Sequence, residues 1–364
     1  MRIDNISLRV IPDSRGKGTL EATLRAGDVE ATASVPSGKS TGATEVANID
    51  PQEALGKLEL IKSKFKDFES LEDFDNTYRG IGGNLSLALS MAFTRLLVKS
   101  ENLELFEYIA RISGNQPILP LCFFNLINGG LHAQNSLPFQ EYLFIPQTSP
   151  KESLENVMSV IGKLKETLGE NYGDEGGFTV SSDDPIKGLE LLFSFARTNL
   201  ARLGLDIAAS EMREKPSLQF LLKITESFDI LSLEDPFDQE DWESFSKLTA
   251  QIGDKVWIVG DDLLTTNVER IKKAHDLNAV NTLLVKPNQI GTITETIRAA
   301  NLAKSYGWKI IVSHRSGETM DTFIADLAVG LGADGLKSGC PLQKERLVKY
   351  ERLIEIESRL TIND

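Results

Sequence analysis

Residues 230–234 read Ile-Leu-Ser-Leu-Glu, and residues 256–261 read Val-Trp-Ile-Val-Gly-Asp, so that each short apolar run ends at a carboxylate. The same arrangement recurs through the second half of the chain, and a stretch of helical periodicity follows each run. Polar residues end six such runs: Asp206, Glu234, Asp261, Lys286, His314 and Lys337. Neighbours in this series lie 23 to 28 positions apart, about the length of one parallel strand with its helix and two loops.

Six successive βα units favour a closed barrel over an open sheet, because a barrel delivers every strand end to one face, where catalytic groups gather. The alternative is that the runs are ordinary core strands. A charged group at each strand end argues against it, since a buried charge costs several kcal/mol unless it is paired. We therefore predict an α/β protein in which residues 117–364 form a modified, TIM-like β/α barrel.

The first third of the chain has a different pattern. Residues 6–11, 19–24 and 29–35 alternate apolar and polar side chains between glycine-bearing turns, which predicts a small antiparallel sheet. Helical periodicity then runs from Pro51 to about Ile112, and Pro117 interrupts it. Residues 1–116 are therefore predicted to form a small α+β N-terminal domain.

Composition narrows the function classes only slightly. The formal charge of −14 argues against a nucleic-acid partner, although a few lysines and a metal ion can still bind a phosphorylated small molecule. The N-terminus lacks a signal-peptide pattern, no apolar run is long enough for a transmembrane segment, and the two cysteines are far apart. We expect a cytoplasmic protein without a disulfide framework.

Asp206, Glu234 and Asp261 are expected to converge, because they end three successive strands. Three close carboxylates repel one another unless a divalent cation lies between them, and oxygen ligands suit Mg²⁺. Each acid alone is more often a surface or capping residue, so the metal interpretation depends on all three. Lys286, beside Lys337 and a dication, is predicted to have a lowered pKa and to act as a general base, although a lone lysine is usually a surface charge.

Two further features concern the loops. Glycine-rich segments carry Glu175 and His132, and Glu141 follows Gln140; glycine permits close approach of the backbone to a ligand. Residues 36–42, Pro-Ser-Gly-Lys-Ser-Thr-Gly, resemble part of a phosphate-binding P-loop, but Ala33 stands where that motif needs glycine. We interpret this segment as a mobile lid over the barrel mouth.

The motifs together resemble those of the enolase family, in the same order and over nearly the whole chain. The segments that carry the likeness are Asp13-Ser-Arg-Gly16, Val35-Pro-Ser-Gly-Lys-Ser-Thr-Gly42, Phe124-Asn-Leu-Ile-Asn-Gly-Gly130, Gly173-Asp-Glu-Gly-Gly-Phe178, Leu233-Glu-Asp-Pro-Phe237, Val259-Gly-Asp-Asp-Leu263, Lys286 with Asn288-Gln-Ile-Gly291, and Ser313-His-Arg-Ser-Gly-Glu-Thr319.

The resemblance implies a Mg²⁺-dependent lyase that interconverts 2-phosphoglycerate and phosphoenolpyruvate. By this resemblance, Lys286 is the base that removes the proton from C2. Glu175 protonates the hydroxyl that departs from C3, and Glu141 lies beside it. Asp206, Glu234 and Asp261 would hold one Mg²⁺, and Ser40 would help bind a second that arrives with the substrate. The implied substrate-binding residues are His132, Gln140, His314, Arg315, Ser316 and Lys337.

Some positions depart from the family pattern. The chain is shortened between Asp50 and Gly80 and again after Glu211, and Gln343-Lys344 replaces the common Arg-Ser. Arg9 and Glu345 resemble a cross-subunit salt bridge, so a homodimer is expected. Two alternatives remain: an enzyme of the same fold acting on a related phospho-carboxylate, and a catalytically silent scaffold or surface-binding protein.

Overall fold

The computed structural model describes residues 1–39, 42–134 and 137–363. For residues 362 and 363 it describes the backbone alone. Its first part contains β1 (Asn5–Pro12), β2 (Gly18–Ala26), β3 (Val29–Ser34), α1 (Pro51–Gly56), α2 (Leu58–Lys62), α3 (Leu71–Tyr78), α4 (Gly83–Glu101) and α5 (Leu105–Ser113). No described helix combines the length and apolarity that crossing a membrane would require.

The remaining elements are β4 (Leu121–Asn128), β5 (Glu141–Pro146), α6 (Pro150–Leu168), β6 (Phe178–Thr179), α7 (Ile186–Thr198), β7 (Ala201–Asp206), α8 (Leu218–Ser227), β8 (Ile230–Glu234), α9 (Trp242–Ile252), β9 (Trp257–Gly260), α10 (Val268–Asp276), β10 (Thr282–Val285), α11 (Pro287–Ile290), α12 (Ile293–Ser305), β11 (Lys309–Ser313), α13 (Phe323–Gly330), β12 (Gly335–Lys337) and α14 (Lys344–Asn363).

The predicted antiparallel sheet is present, with the strand order β1-β2-β3. Leu20, Ala22 and Leu24 on its central strand are almost fully buried, because alternate residues of a strand face the same side. That side packs against α4. Buried residues surround most of α4, as expected of a helix enclosed on several sides.

The predicted barrel is confirmed. Eight strands follow the order β4-β5-β7-β8-β9-β10-β11-β12, and pairing of β12 with β4 closes the ring. Residues inside the ring form their own apolar cluster: Phe123, Leu143, Ile145, Leu231, Val259, Leu284 and Ile311. This interior is solid, as in other barrels of this kind, so the chemistry is confined to the ends of the strands.

One strand departs from the parallel pattern that the six repeats indicate. β5 runs antiparallel to both of its neighbours, β4 and β7. The described residues between β4 and β5 contain only a short 3₁₀ turn at Gly130–His132, whereas a return to a parallel strand needs a crossover, usually a helix. The reversal brings the first residue of β5, Glu141, to the face where the other strands end.

The N-terminal elements pack directly on the outer helices of the barrel. α5 packs against α13, and α3 and α4 both contact α12. A single apolar core runs from Ile3 through the barrel helices to Ile356. The division of the chain at residue 116 stays a prediction.

Asp75, at this contact, is expected to make stability depend on pH. The residue is 2% exposed, and its Oδ2 accepts hydrogen bonds from the backbone nitrogen and Oγ1 of Thr294. Burial raises the pKa of Asp75 to about 6 from 3.8, against hydrogen bonds from Ser90 and Thr294 that lower it. Because the folded state binds the proton more tightly than the unfolded state, the contribution of Asp75 is most favourable below about pH 4 and is lost as the pH rises through about 6.

We therefore expect Asp75→Asn to raise the free energy of unfolding relative to wild type above pH 7. The gain should be as large as about 3 kcal/mol, the equivalent of a shift of about two pKa units, and it should vanish near pH 4. Urea denaturation at several pH values measures the difference between the two proteins. Glu72→Gln, an exposed position on the same helix, serves as the control. A difference that does not change with pH would contradict the assignment.

Candidate active site

One polar pocket opens at the carboxyl face of the barrel and brings together most of the predicted site. Eleven predicted residues line it: His132, Gln140, Glu141, Glu175, Asp206, Asp261, Lys286, His314, Arg315, Ser316 and Lys337. Glu234 lies at its edge and contacts the ammonium group of Lys337. Ser40, the remaining prediction, lies outside the described residues.

Lys337, at the end of β12, reaches across the mouth into a group of carboxylates. Its Nζ lies 3.1 Å from Oδ2 of Asp206, 2.7 Å from Oε2 of Glu234 and 2.9 Å from Oε2 of Glu141. Burial lowers the pKa of Lys337, but the three negative charges outweigh it and hold that pKa well above its usual value. Lys337 is therefore a permanent cation in this structure.

Lys286, at the end of β10, pairs with Asp261, which follows β9. Gln289 fixes the other oxygen of that carboxylate with a hydrogen bond of 2.8 Å from Nε2. Burial lowers the pKa of Lys286, yet the charge of Asp261 raises it by more, so the net shift is upward. The lowered pKa that is expected of Lys286 beside a dication stays a prediction; the contact with Asp261, which the sequence did not indicate, acts in the opposite direction.

The three predicted metal ligands lie on adjacent strands, as expected, but they do not form the tightest acidic group. Asp206 and Glu234 are paired in register on β7 and β8, whereas Asp261 is grouped with Asp235 and Asp262, with ligand atoms within 4.8 Å of one another. Burial, together with the charge of Asp206, holds the pKa of Glu234 well above its usual value. The mouth thus contains a broad set of oxygen donors.

Asp235 is a residue that the sequence analysis missed. Its two carboxylate oxygens accept hydrogen bonds from the backbone nitrogens of Asp261, at 3.0 Å, and Asp262, at 2.7 Å. Its own φ is +40°, a left-handed conformation that is unusual for a residue other than glycine. Asp235 therefore holds the loop after β9 in place, and its position directly after Glu234 is the only signal that the sequence offers.

A second group joins His132 with Glu141 and Glu175. Nδ1 of His132 lies 3.6 Å from Oε1 of each glutamate, and Asn125 donates a hydrogen bond of 3.1 Å to Oε2 of Glu175. Burial and the charge of Glu175 hold the pKa of Glu141 well above its usual value. Burial also raises the pKa of Glu175, but the rings of His314 and His132 lower it by more. The surroundings thus shift the pKa values of the two neighbouring carboxyl groups in opposite directions.

Arg315 and Ser316 follow β11 and are connected to the N-terminal part of the chain. Nη1 of Arg315 donates to Oε2 of Glu45 over 3.0 Å, and Arg15 donates to Oγ of Ser316 over 3.2 Å. Glu45 was also missed, because nothing near it in sequence indicates a partner 270 positions away. The basic side chains of Arg15 and Arg315 make this edge of the pocket suitable for binding an anion.

The segment proposed as a lid contacts the barrel mouth. Ser37 and Gly317 exchange backbone hydrogen bonds, and Nζ of Lys39 binds the carbonyl oxygen of Leu131 and, at 2.7 Å, Oδ2 of Asp174. Residues 42–50 contain no helix, whereas a P-loop leads directly into one, so the P-loop alternative is excluded. Movement of the segment stays a prediction.

The fold and the mouth define the class: a β/α-barrel protein in which carboxylates and buried lysines gather at the carboxyl face. Residues 116–226 and 216–363 match the family description "Enolase, C-terminal TIM barrel domain". The chain is 40% identical to Enolase B of Dictyostelium discoideum over 422 aligned positions, which cover 99% of this chain and 95% of the relative. It is 38% identical to Enolase of Solanum lycopersicum over 98% of this chain and 95% of the relative.

A third relative, Enolase 2 of Hevea brasiliensis, is 37% identical over 98% of this chain and 95% of the relative. The chain belongs to the enolase family. Its 364 residues are fewer than the aligned positions, which agrees with the shortened segments predicted from the sequence.

Proposed function

We propose that this protein catalyses the reversible dehydration of 2-phospho-D-glycerate to phosphoenolpyruvate, as a carbon–oxygen lyase. The observation that carries the proposal is that Lys286 and the Glu141–Glu175 pair face the same pocket, with the cation of Lys337 in contact with Glu141. Removing a proton next to a carboxylate and expelling a hydroxyl require a base and an acid on a single substrate. Family membership supports the same assignment.

The residues at the mouth fit a hard divalent cation. Asp206, Glu234 and Asp261 offer only oxygen donors, which Mg²⁺ prefers, and Oε1 of Glu234 is buried without a hydrogen-bond partner among the described residues. These three residues would hold one Mg²⁺. A second ion, helped by Ser40, is implied by the family resemblance alone.

Bound Mg²⁺ would supply positive charge against the second negative charge that develops on the substrate carboxylate. The chain contributes the proton transfers. Once its contact with Asp261 is relieved, the ammonium group of Lys286 releases a proton to solvent, and the neutral amine then takes the proton from C2. Lys337 stabilises the added charge on the substrate carboxylate. Both lysines are buried and held by neighbouring carboxylates. The site therefore needs little reorganisation of its charged groups when negative charge develops on the substrate.

The acid side of the reaction uses the paired glutamates. We assign protonation of the departing C3 hydroxyl to Glu175, with Glu141 beside it as the second carboxyl group of the pair. One ligand atom from each of Glu141, Glu175 and His132 lies within 4.8 Å of the others, so the ionisation of one carboxyl group affects that of the other. Arg315 and Ser316 would bind the phosphate, with Gln140, His132 and His314 completing the substrate contacts.

An absorbance assay at the ultraviolet band of phosphoenolpyruvate tests the function. We expect the signal to grow when 2-phosphoglycerate and Mg²⁺ are added, and to stop when a chelator removes the metal. A flat trace from folded, metal-loaded protein would overturn the proposal. Turnover of a related phospho-carboxylate would then indicate an enzyme of shifted specificity, and inactivity on all of them would indicate a silent scaffold.

The assembly and location stay predictions. A homodimer and a cytoplasmic location are implied by the resemblance and the composition. Within the chain, Arg9 contacts Glu21 on the neighbouring strand, so a cross-subunit bridge to Glu345 would compete with that contact. Sedimentation at micromolar concentration distinguishes a dimer from a monomer.

A further inference from the structure

Arg346, near the start of α14, is a fully buried guanidinium at 0% exposure. Its Nε donates to Oε1 of Gln343 over 3.2 Å, Nη1 to the carbonyl oxygen of Arg315 over 2.6 Å, and Nη2 to the carbonyl oxygen of Ser316 over 2.8 Å. Nη1 also contacts Nδ1 of His314. A buried charge needs such partners, and here every one of these acceptors is neutral.

The contact with Nδ1 fixes the protonation of the His314 ring. A guanidinium in a protein is always charged and has donors only, so Nδ1 must accept with its lone pair. A neutral imidazole then carries its hydrogen on Nε2. Burial lowers the pKa of His314, and Arg346 lowers it further against the opposite effect of Glu175, so the ring is neutral.

Nε2 of His314 lies 3.5 Å from Oε2 of Glu175. The tautomer decides the sign of this contact, because an N–H faces the carboxylate favourably whereas a lone pair would repel it. The packing leaves little freedom for the ring. A Cβ at Gly339, where φ is +69°, would lie 3.0 Å from Cδ of Arg346 and 3.2 Å from Cε1 of His314.

We propose that Arg346 is a positioning residue for the acid pair: it holds His314 in the Nε2–H tautomer and thereby aims a hydrogen-bond donor at Glu175. The donor orients the carboxylate of Glu175, which is assigned to protonate the C3 hydroxyl. The catalytic consequence rests on the proposed function, whereas the tautomer does not.

The tautomer is directly measurable, because the chain has only three histidines. Long-range ¹⁵N–¹H correlation spectra of the uniformly labelled full chain report the protonation of both ring nitrogens, and His314→Gln assigns the signal. We expect His314 to be neutral with its hydrogen on Nε2. In Arg346→Lys, a single ammonium cannot replace the planar fork, so the His314 signals should shift towards a tautomer mixture. A wild-type spectrum with the hydrogen on Nδ1, or one that Arg346→Lys leaves unchanged, would overturn the inference.

Kinetics separate positioning from general structural support. We expect Arg346→Lys to lower kcat about tenfold or more, by analogy with residues that orient metal-ligating histidines, whose mutation costs about 10- to 100-fold. In a His314→Ala background, the same substitution should lower kcat little further, because its effect passes through the ring. Full additivity of the two losses would overturn the inference.

Arg352→Lys is the matched control on the same helix, since its partners are Asp326, Glu104 and Glu355. It should leave the His314 spectrum unchanged. If wild type does not turn over 2-phosphoglycerate but the tautomer depends on Arg346, the proposed function fails and the tautomer assignment stands. If turnover occurs with the hydrogen on Nδ1, the assignment fails and the function stands.

Discussion

Lys286→Ala is expected to abolish exchange of the C2 proton of 2-phosphoglycerate with solvent and to lower kcat by about 10²- to 10⁴-fold. That range is the usual contribution of a positioned general base. The physical reason is that we assign removal of the C2 proton to Lys286, which is buried in the pocket against Asp261. Exchange is followed by proton NMR of the substrate in D₂O.

Two measurements make this result specific to the base. Calorimetric titration should show that the variant still binds Mg²⁺, because Asp206, Glu234 and Asp261 are unchanged. Lys255→Ala, an exposed lysine in the turn before β9, should exchange the proton at the wild-type rate. Exchange that persists in Lys286→Ala would refute the role of Lys286 as the base.

Lys337→Met should cause the largest loss of stability. The substitution removes the cation that contacts Asp206, Glu234 and Glu141 and leaves three carboxylates buried against one another. Breaking a buried ion pair by removing one partner typically costs about 3–5 kcal/mol. Urea denaturation at pH 8 measures the loss, which should shrink at lower pH because the carboxylates can then take up protons.

Addition of Mg²⁺ should restore part of that stability, since a ligand that binds only the folded state stabilises it. Lys247→Met, which removes an exposed pair with Glu243 on α9, is expected to cost less than about 1 kcal/mol. Equal losses in the two variants would mean that Lys337 does not hold the carboxylates together.

The sequence predicts the barrel and the positions of its charged strand ends because both depend on local periodicity. Asp206, Glu234 and Lys337 end strands where the apolar runs stop, and closure of the ring brings them to one face. The antiparallel direction of β5 was not predicted from the repeats. The reversal goes with the lack of a crossover helix among the described residues between β4 and β5, which a glycine-rich segment does not reveal from its sequence.

Contacts between distant parts of the chain could also not be predicted from the sequence. The pairing of Lys286 with Asp261 raises the pKa of the lysine. Glu45 forms an ion pair with Arg315, which lies 270 positions later in the chain. Asp235 acts through hydrogen bonds to the backbone, which residue type and spacing do not show. Each of these features is set by tertiary geometry.

Closure of the ring has a consequence for the order of folding. β12 pairs with β4, and Gly335 lies opposite Leu121, 214 residues earlier in the chain. A contact between residues so far apart in sequence forms slowly, because closing the long loop between them costs conformational entropy. On a ribosome, the carboxylates of β7 and β8 emerge long before the lysine that neutralises them. The charge balance of the mouth is therefore completed only after Lys337 has been synthesised, more than 100 residues after Asp206 and Glu234.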